Sequence, residues 1–312
     1  MQITVIIATF NRAEQLRRTL QSFRALSPVP CQPSWELIVV DNNSSDETRA
    51  VVGAASPPRS ALPLRYLSEP RPGQSAARNR GIAESKAELL AFTDDDVDVD
   101  ARWLAALGGA AERHPRASFF GGRILPRWEQ PAPAWIIAHS ATLLSGVTMH
   151  LDLGDAEREF TDPARPYGVY GANMMFRRSV FAGDLRFRED LGLKPGETTR
   201  REESEFIRDL LTAGQTGVYV PDAIVHHRNP PERATERYVR QWYKGAGMAD
   251  VRLGRVPSNA HVPRHLWRKL AESGLRFATA RLTKPAAVWL PAEIEMARQW
   301  GVICELRRNN RG

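Results

Sequence analysis

Three consecutive carboxylates, Asp94, Asp95 and Asp96, are the residues whose type and spacing most directly indicate chemistry. They follow the apolar run 89–93, which is typical of a buried parallel strand. In open α/β sheets, ligands bind at the carboxyl ends of the strands. Because adjacent carboxylates repel one another, the run predicts a bound divalent metal, with a nucleotide phosphate beside it. The alternative is a solvated acidic turn, which is the usual environment of a short charge run.

Polar residues also end two earlier predicted strands. The first strand ends at Thr9, and the second is followed by Asp41. Ser44 or Ser45 can cap the next helix, predicted over 46–52, but capping does not account for Asp41. A carboxylate at a strand end can accept hydrogen bonds from a base N–H or a ribose hydroxyl. Asp41 is therefore a candidate nucleotide ligand.

A third polar group opens the next predicted helix. Gly73 and Ser75 predict a turn and an N-cap, and the small residues that follow allow the helix to pack closely on a sheet. The helix carries Arg78 and is predicted to end near Lys86. A helix N-terminus with an arginine on it attracts phosphate.

The elements that must position these residues alternate between strand and helix. Four strand and helix units fit into the first hundred residues, without a Gly-x-Gly-x-x-Gly turn or a Walker loop. This alternation predicts an α/β, Rossmann-like half that binds a nucleotide by other means.

The composition is that of an ordinary globular protein, with 42% hydrophobic and 25% charged residues. No run approaches the ~18 apolar residues of a membrane-spanning helix. The start of the chain lacks a basic leader and a cleavage site, which predicts a cytoplasmic location. Cys31 and Cys304 lack metal-ligand spacing, so neither a zinc site nor a disulfide framework is expected.

The net charge of +7 is concentrated near the C-terminus. Residues 238–312 contain 14 Lys and Arg against 5 Asp and Glu, a net of +9, which leaves 7 − 9 = −2 for residues 1–237. A basic, partly amphipathic tail suits an anionic membrane surface or another anionic partner. The near-neutral body does not favour nucleic-acid binding.

Seven sequence blocks resemble those of family 2 glycosyltransferases, and the first four appear in that family's order and spacing. In the first half they are VIIATFNR at 5–12, VVDNNSSD at 39–46, GQSAARNRG at 73–81 and FTDDD at 92–96. In the second half they are GANMMFRR at 171–178, REESEF at 201–206 and YVPDAIVHH at 219–227. The resemblance covers roughly residues 1–230. It implies an inverting transferase with the GT-A fold, which has a Rossmann-like nucleotide-binding half and a mixed central sheet.

The resemblance also implies roles for the strand-end residues. Asp96 is expected to bind Mn²⁺ or Mg²⁺ directly, and Asp94 to contact the ribose or the water shell of the metal. Asp95 is assigned to the nucleotide site. Thr9, Asp41 and Arg78 are expected to line the nucleoside pocket. Asp41 can pair with the N3–H of uracil, which favours a UDP-sugar.

The catalytic base and the last metal ligand lie in the second half. The family usually has aspartate as the base where this chain has Glu203, which is one methylene longer; Glu202 and Glu205 are alternatives. All three could instead belong to the exposed first turn of a helix, where acidic residues complement the helix dipole. His227 is the expected histidine ligand and His226 the alternative, since alternation along a strand points them to opposite faces.

The predicted domains are a GT-A catalytic domain over 1–232 and a basic helical C-terminal extension over 233–312. The catalytic domain divides into a nucleotide-sugar-binding half, 1–100, and an acceptor-side half, 101–232. The expected acceptor is a carbohydrate or a lipid-linked molecule. The extension is expected to pack on the catalytic domain, contact the inner face of the membrane, or form a homodimer.

Two other functions agree with the same residues. A nucleotidyltransferase also pairs a nucleotide with carboxylate-bound metal, and a non-catalytic protein could bind the nucleotide or sugar without turnover. Trp128 and Trp135 belong to a Pro-rich segment that could cover the site, form an acceptor platform or fill a core.

Overall fold

The apolar runs near the N-terminus form the parallel part of a mixed sheet. Its strands are β1 (Gln2–Thr9), β2 (Ser34–Asp41), β3 (Leu64–Ser68) and β4 (Leu89–Asp94), in the order β3-β2-β1-β4. This computed structural model describes residues 2–26, 34–56, 62–166, 168–194, 201–256 and 262–309. Cys31 lies outside them, and Cys304 is a free thiol.

The register of these strands explains why their polar ends meet. Thr9 pairs with Asp41 between β1 and β2, and Ala8 pairs with Asp94 between β1 and β4. Because parallel strands share their direction, the three polar residues Thr9, Asp41 and Asp94 lie at one edge of the sheet. The predicted strands are confirmed.

The helices of this half are α1 (Ala13–Phe23), α2 (Thr48–Ala55), α3 (Gln74–Glu84) and α4 (Trp103–Arg113). The predicted capping residues are wrong in two places. Helix α2 begins at Thr48, and Asp46 rather than Ser44 or Ser45 accepts the hydrogen bond from the Thr48 N–H.

In α3 the N-cap is Gly73, with φ 128°, and not Ser75. The Ser75 side chain is buried inside the first turn, since the chain enters the helix two residues earlier than expected. The close packing of α3 is confirmed, because a Cβ at Gly81 would come within 2.6 Å of Ile6 Cγ2.

The second half completes the sheet with strands that pair antiparallel. They are β5 (Val97–Val99), β6 (Phe119–Trp128), β7 (Arg158–Phe160), β8 (Met174–Arg177) and β9 (Gly217–Asn229), with α5 (Ala134–His139), α6 (Ser145–Thr148) and α7 (Glu202–Thr212) between them. Strand β8 joins β4 antiparallel, and β5 and β7 both pair with β9. The sheet has nine described strands and is mixed, as the sequence predicted.

The core beside this sheet is aromatic. Phe206 of α7 packs against Phe176 of β8 and Phe187, with ring centroids 5.2 and 4.5 Å apart. Phe187 also meets Phe92 of β4, at 5.6 Å between ring centroids. Burying such large side chains contributes the main hydrophobic stabilisation and fixes α7 near the end of β4.

The contacts of the chain divide into two compact units. The first comprises 1–127, 151–189 and 202–228, and the second comprises 128–150, 190–201 and 229–312. The second unit contains α8 (Glu236–Arg252), α9 (Arg264–Thr283) and α10 (Ala286–Asn309). The helices predicted over 233–247 and 263–307 therefore exist, but Lys284 and Pro285 divide the latter. Among the described helices, none is both long and apolar enough to cross a bilayer.

The aromatic residues of the Pro-rich segment pack inside the second unit. The indole of Trp135 lies 5.5 Å from that of Trp289, between ring centroids, and Trp128 belongs to the same apolar cluster. Phe277 of α9 also contacts Trp289, at 6.2 Å. Of the three interpretations of this segment, packing in a core is the one with contacts in the structure.

Candidate active site

Two of the three consecutive aspartates meet a histidine at the sheet edge. Donor atoms of Asp94, Asp96 and His227 all lie within 4.8 Å of one another. Asp94 ends β4, Asp96 lies in the turn to β5, and His227 is on β9. The pairing of Val97 with His227 between β5 and β9 sets their proximity. The side chain of His227 is 1% exposed, whereas His226 faces away from this group.

His227 lies between a backbone oxygen and a carboxylate. Its Nδ1 lies 3.1 Å from the backbone oxygen of Arg228, which can only accept a hydrogen bond, so Nδ1 carries a proton. Its Nε2 lies 3.1 Å from Asp96 Oδ1. Either a proton on Nε2 or a divalent metal accounts for this short distance. The donor set of two carboxylates and one imidazole fits a divalent metal.

Arg12 neutralises part of the acidic run. Its Nη1 lies 2.8 Å from Asp95 Oδ1 and 2.9 Å from Asp96 Oδ2. The hydroxyl of Thr9 donates to Asp95 Oδ2 at 2.8 Å. Asp95 is thus held by Arg12 and Thr9, while Asp96 keeps its other oxygen toward His227. Burial raises the pKa of Asp95 to about 6, although the charge of Arg12 opposes this rise.

Two side chains, those of Thr19 and Arg228, hold the backbone of the turn that carries the aspartates. Thr19 of α1 donates its hydroxyl toward the backbone oxygens of Asp95 and Val97, both at 2.8 Å. The buried guanidinium of Arg228 donates to the Val97 oxygen at 3.0 Å, to Thr19 Oγ1 at 2.8 Å and to Asp98. These contacts position the carboxylates, and sequence reasoning missed both residues.

The glutamates of α7 reach the same edge through Arg78. The guanidinium of Arg78 lies 2.9 Å from Glu203, 3.4 Å from Glu202 and 3.5 Å from Asp94. Although burial lowers the pKa of Arg78, the charges of Glu203, Asp94 and Glu202 outweigh it and raise the pKa. Arg78 also stacks over Phe187, 5.6 Å from the ring centroid. It therefore remains charged while buried.

The glutamates differ in exposure. The side chain of Glu202 is 3% exposed, that of Glu205 is 12% exposed and pairs with Arg208, and that of Glu203 is 20% exposed. The exposed first turn considered as an alternative is therefore not observed. Of the two glutamates at Arg78, Glu203 is the more exposed to solvent.

Gly171 provides the space for the pair formed by Arg78 and Glu203. A Cβ at Gly171 would overlap both the guanidinium of Arg78 and the carboxylate of Glu203. Gly171 begins the sequence block 171–178, but its role depends on its closeness to Arg78 and Glu203, which the sequence does not show.

Asp41 lies at the neighbouring strand end with its own partners. It accepts hydrogen bonds from the Ser44 N–H at 2.9 Å and from the Tyr66 hydroxyl at 2.7 Å. Burial, together with the hydrogen bond to Asp41, raises the pKa of Tyr66 to about 12. Asn42 accepts from the Gly73 N–H at 2.7 Å, which ties the turn before α3 to β2. A carboxylate has further lone pairs, so Asp41 can still accept a hydrogen bond from the N–H of a nucleobase.

The structure thus brings most of the predicted residues to one place. Asp94, Asp96 and His227 form a group that could hold a metal. Arg78 contacts Asp94 of this group and also Glu203 and Glu202. Asp95 lies beside the group and is held by Thr9 and Arg12. Arg12 was missed because the sequence assigns no partner to a cation that follows a strand, although its position after β1 was a usable signal.

Similarity to known proteins agrees with this arrangement. A family model described as "Glycosyl transferase family 2" matches residues 4–183, and one described as "Glycosyl transferase family group 2" matches residues 94–294. The chain is 29% identical to the succinoglycan biosynthesis protein ExoM of Rhizobium meliloti, over 92% of this chain and 86% of that protein. It is 24% identical to the glucosyl-dolichyl phosphate glucuronosyltransferase of Haloferax volcanii, over 73% and 69%.

Solved structures share the fold. The mannosyltransferase PcManGT from Pyrobaculum calidifontis, in complex with GDP-Man and Mn²⁺, matches 99% of this chain and 86% of its own, with a TM-score of 0.58 and 17% identity. TarS 1-349 of S. aureus, in complex with UDP-GlcNAc, matches 99% and 92%, with a TM-score of 0.55 and 15% identity. The predicted α/β GT-A fold with C-terminal helices is confirmed.

Proposed function

The chain belongs to glycosyl transferase family 2, and on this premise we propose that it moves a sugar from a nucleoside-diphosphate sugar to an acceptor hydroxyl with inversion. The observation that carries the proposal is the placement of Glu203 and the group of Asp94, Asp96 and His227 on either side of Arg78. Family membership favours this function over the nucleotidyltransferase and the non-catalytic binding protein.

Asp96 and His227 would hold the divalent metal directly, with Asp94 as a third ligand or a partner of its water shell. An imidazole among the ligands suits Mn²⁺ better than Mg²⁺, which prefers oxygen alone. When bound, the metal supplies positive charge that offsets the negative charge of the departing diphosphate.

The nucleoside would lie along the ends of β1 and β2. Asp41 can accept the N3–H of uracil, which supports a UDP-sugar as donor. Thr9 donates a hydrogen bond to Asp95 at this edge. Arg12, which pairs with Asp95, adds a positive charge on the side that the diphosphate would occupy. Arg78 closes this pocket from the side of α3.

Glu203 would act as the general base. Its carboxylate accepts the proton of the acceptor hydroxyl as the new oxygen to anomeric-carbon bond forms and the bond to the diphosphate breaks. One displacement inverts the anomeric carbon. Arg78 holds Glu203 in place and keeps it close to Asp94, so that the base and the leaving-group site share one rigid support.

The names of similar proteins support a saccharide or lipid-linked acceptor. One relative is named for succinoglycan biosynthesis, and another for transfer to a glucosyl-dolichyl phosphate. We propose an acceptor of this class, with catalysis by residues 1–232.

The proposal is tested by incubating the purified chain with α-linked UDP- and GDP-sugars, Mn²⁺, and oligosaccharide or lipid-linked glycoside acceptors that carry free hydroxyls. Nucleoside diphosphate should be released from a UDP-sugar, and the first-formed product should be the β anomer by NMR. An α product would contradict the single displacement. Absence of release and transfer with every donor would contradict the activity itself.

The base is tested by comparing Glu203→Gln with Glu202→Gln. Glu203→Gln should lower kcat by a factor of about 10²–10⁴ while the donor still binds, because the amide cannot take the proton. Glu202→Gln is the matched control and should retain most of kcat, since Glu202 is buried. The reverse order of the two effects would move the base to Glu202.

A further inference from the structure

Helix α9 carries a row of residues that the other described parts of the chain leave exposed. Positions spaced by four and three residues lie on one face of a helix. Six exposed residues of α9 follow this spacing, and we call them the outer stripe: Arg264, Arg268, Ala271, Leu275, Ala278 and Leu282.

The opposite face of α9 accounts for its packing. Leu266 is 5% exposed and lies in an apolar cluster with residues of α10, and Phe277 lies in the cluster around Trp289. Ser273 is fully buried between them. The outer stripe is therefore not needed to hold α9 in the second unit.

The C-terminal half of the stripe exposes large apolar side chains. Leu275 is 67% exposed and Leu282 is 86% exposed, and Val288 at the start of α10 is 51% exposed. Apolar side chains exposed to this extent gain free energy when a partner removes them from water.

The surroundings of the stripe are strongly basic. Residues 262–288 contain six Lys and Arg against one acidic residue, Glu272. Two of the six, Arg276 and Arg281, pair with Glu295 and Glu236 from outside this segment. Arg268 is 3.6 Å from Glu272, and both side chains are exposed. Within the described part of the chain, no carboxylate lies at ion-pair distance from Arg264, Lys269 or Lys284. These charges are available to an anionic partner.

We propose that the outer stripe, together with Val288, docks on the surface of an anionic lipid bilayer. The helix would lie in the plane of the interface, with its leucines among the acyl chains and its cations at the headgroups. A second copy of the chain suits the stripe less well, because it would bring two basic segments together. Nucleic acid suits it less well because the leucines would stay in water.

This docking does not depend on the transfer reaction. The proposed membrane contact is made by α9, whereas the sequence alone predicted a contact somewhere in the basic extension, 233–312. Helix α10 contributes little, because much of it is buried against α8 and α9.

The test is co-sedimentation of the full chain with vesicles of phosphatidylcholine containing phosphatidylglycerol, and with vesicles of phosphatidylcholine alone. The chain should bind the anionic vesicles and lose binding at high salt. Leu275→Gln with Leu282→Gln, and separately Arg264→Glu with Arg268→Glu, should each lower the partition coefficient about tenfold or more. All four side chains are exposed, so these variants should keep the parent Tm.

Two controls separate the stripe from general surface effects. Ile137→Gln removes an exposed apolar residue outside α9, and Arg17→Glu reverses an exposed charge on α1; both should bind like the parent. Equal binding by the stripe variants and the parent would overturn the proposal, as would equal loss in the controls. A dimer in light scattering without vesicles, abolished by the leucine substitutions, would assign the stripe to a second copy instead.

Discussion

Arg78 is the residue on which the proposed chemistry converges. A buried arginine is costly unless carboxylates surround it, and here Glu203, Glu202 and Asp94 do so. Its side chain is therefore confined to one position, which in turn confines Glu203, the proposed base, and Asp94. Gly171 makes this position available, because any side chain there would occupy the same space.

Gly171→Ala should lower kcat about tenfold or more and also raise the donor KM, because a Cβ there would displace both Glu203 and Arg78, and Arg78 is expected to line the nucleoside pocket. Steady-state kinetics with a fixed acceptor measures both constants. Gly183→Ala is the matched control, since a Cβ at Gly183 meets no atom within 4 Å. Parent-like kcat in Gly171→Ala would show that the glycine does not position the base.

At the scale of elements, the second unit depends on a close crossing of α8 and α10. A Cβ at Gly301 would overlap the backbone oxygen of Lys244 on α8, and a Cβ at Gly247 would overlap that of Arg298 on α10. The two glycines thus let the helix backbones touch from both sides. Two ion pairs with buried carboxylates flank the crossing: Asp250 lies 2.6 Å from Arg298, and Glu305 lies 2.7 Å from Arg252.

Gly301→Ala should destabilise the protein by about 1–3 kcal/mol, because the obstacle is backbone that cannot move without separating the helices. Thermal unfolding should show a lower Tm. Gly53→Ala in α2 is the control, since a Cβ there meets nothing and alanine favours a helix; its Tm should equal or exceed that of the parent. A parent-like Tm for Gly301→Ala would refute the close crossing.

At the scale of the whole molecule, charge is divided along the chain. The near-neutral body carries the carboxylates and arginines of the site, and the tail carries the excess of +9. Positive and negative charges in the body nearly balance, with a net of −2 for residues 1–237, so neither a metal nor a nucleotide meets a strong overall repulsion there. Ligands that bind only the folded state stabilise the whole protein by mass action.

Mn²⁺ and UDP together should therefore raise the Tm more than either alone. At ligand concentrations about 100 times Kd, the expected stabilisation is about 2.7 kcal/mol. Differential scanning fluorimetry with and without EDTA measures it. Asp96→Asn should remove the metal-dependent part, whereas Asp155→Asn, at a carboxylate that is 98% exposed, should keep it. An unchanged metal effect in Asp96→Asn would exclude Asp96 as a ligand.

The sequence by itself determined the first four strands, their parallel direction and the polar residues at their ends. Apolar runs and the residues that end them are local features, and parallel strands bring their carboxyl ends together without further information. Thr9, Asp41 and Asp94 were placed on one edge in this way.

Only the tertiary structure decided which side chains touch. Arg78 and Glu203 are 125 residues apart in the chain, and their contact depends on the packing of α7 against the sheet and on the space at Gly171. The same holds for His227 rather than His226, for Arg12 between two aspartates, and for the face of α9 that stays exposed. Such contacts depend on how elements pack, and no periodicity within one element contains that information.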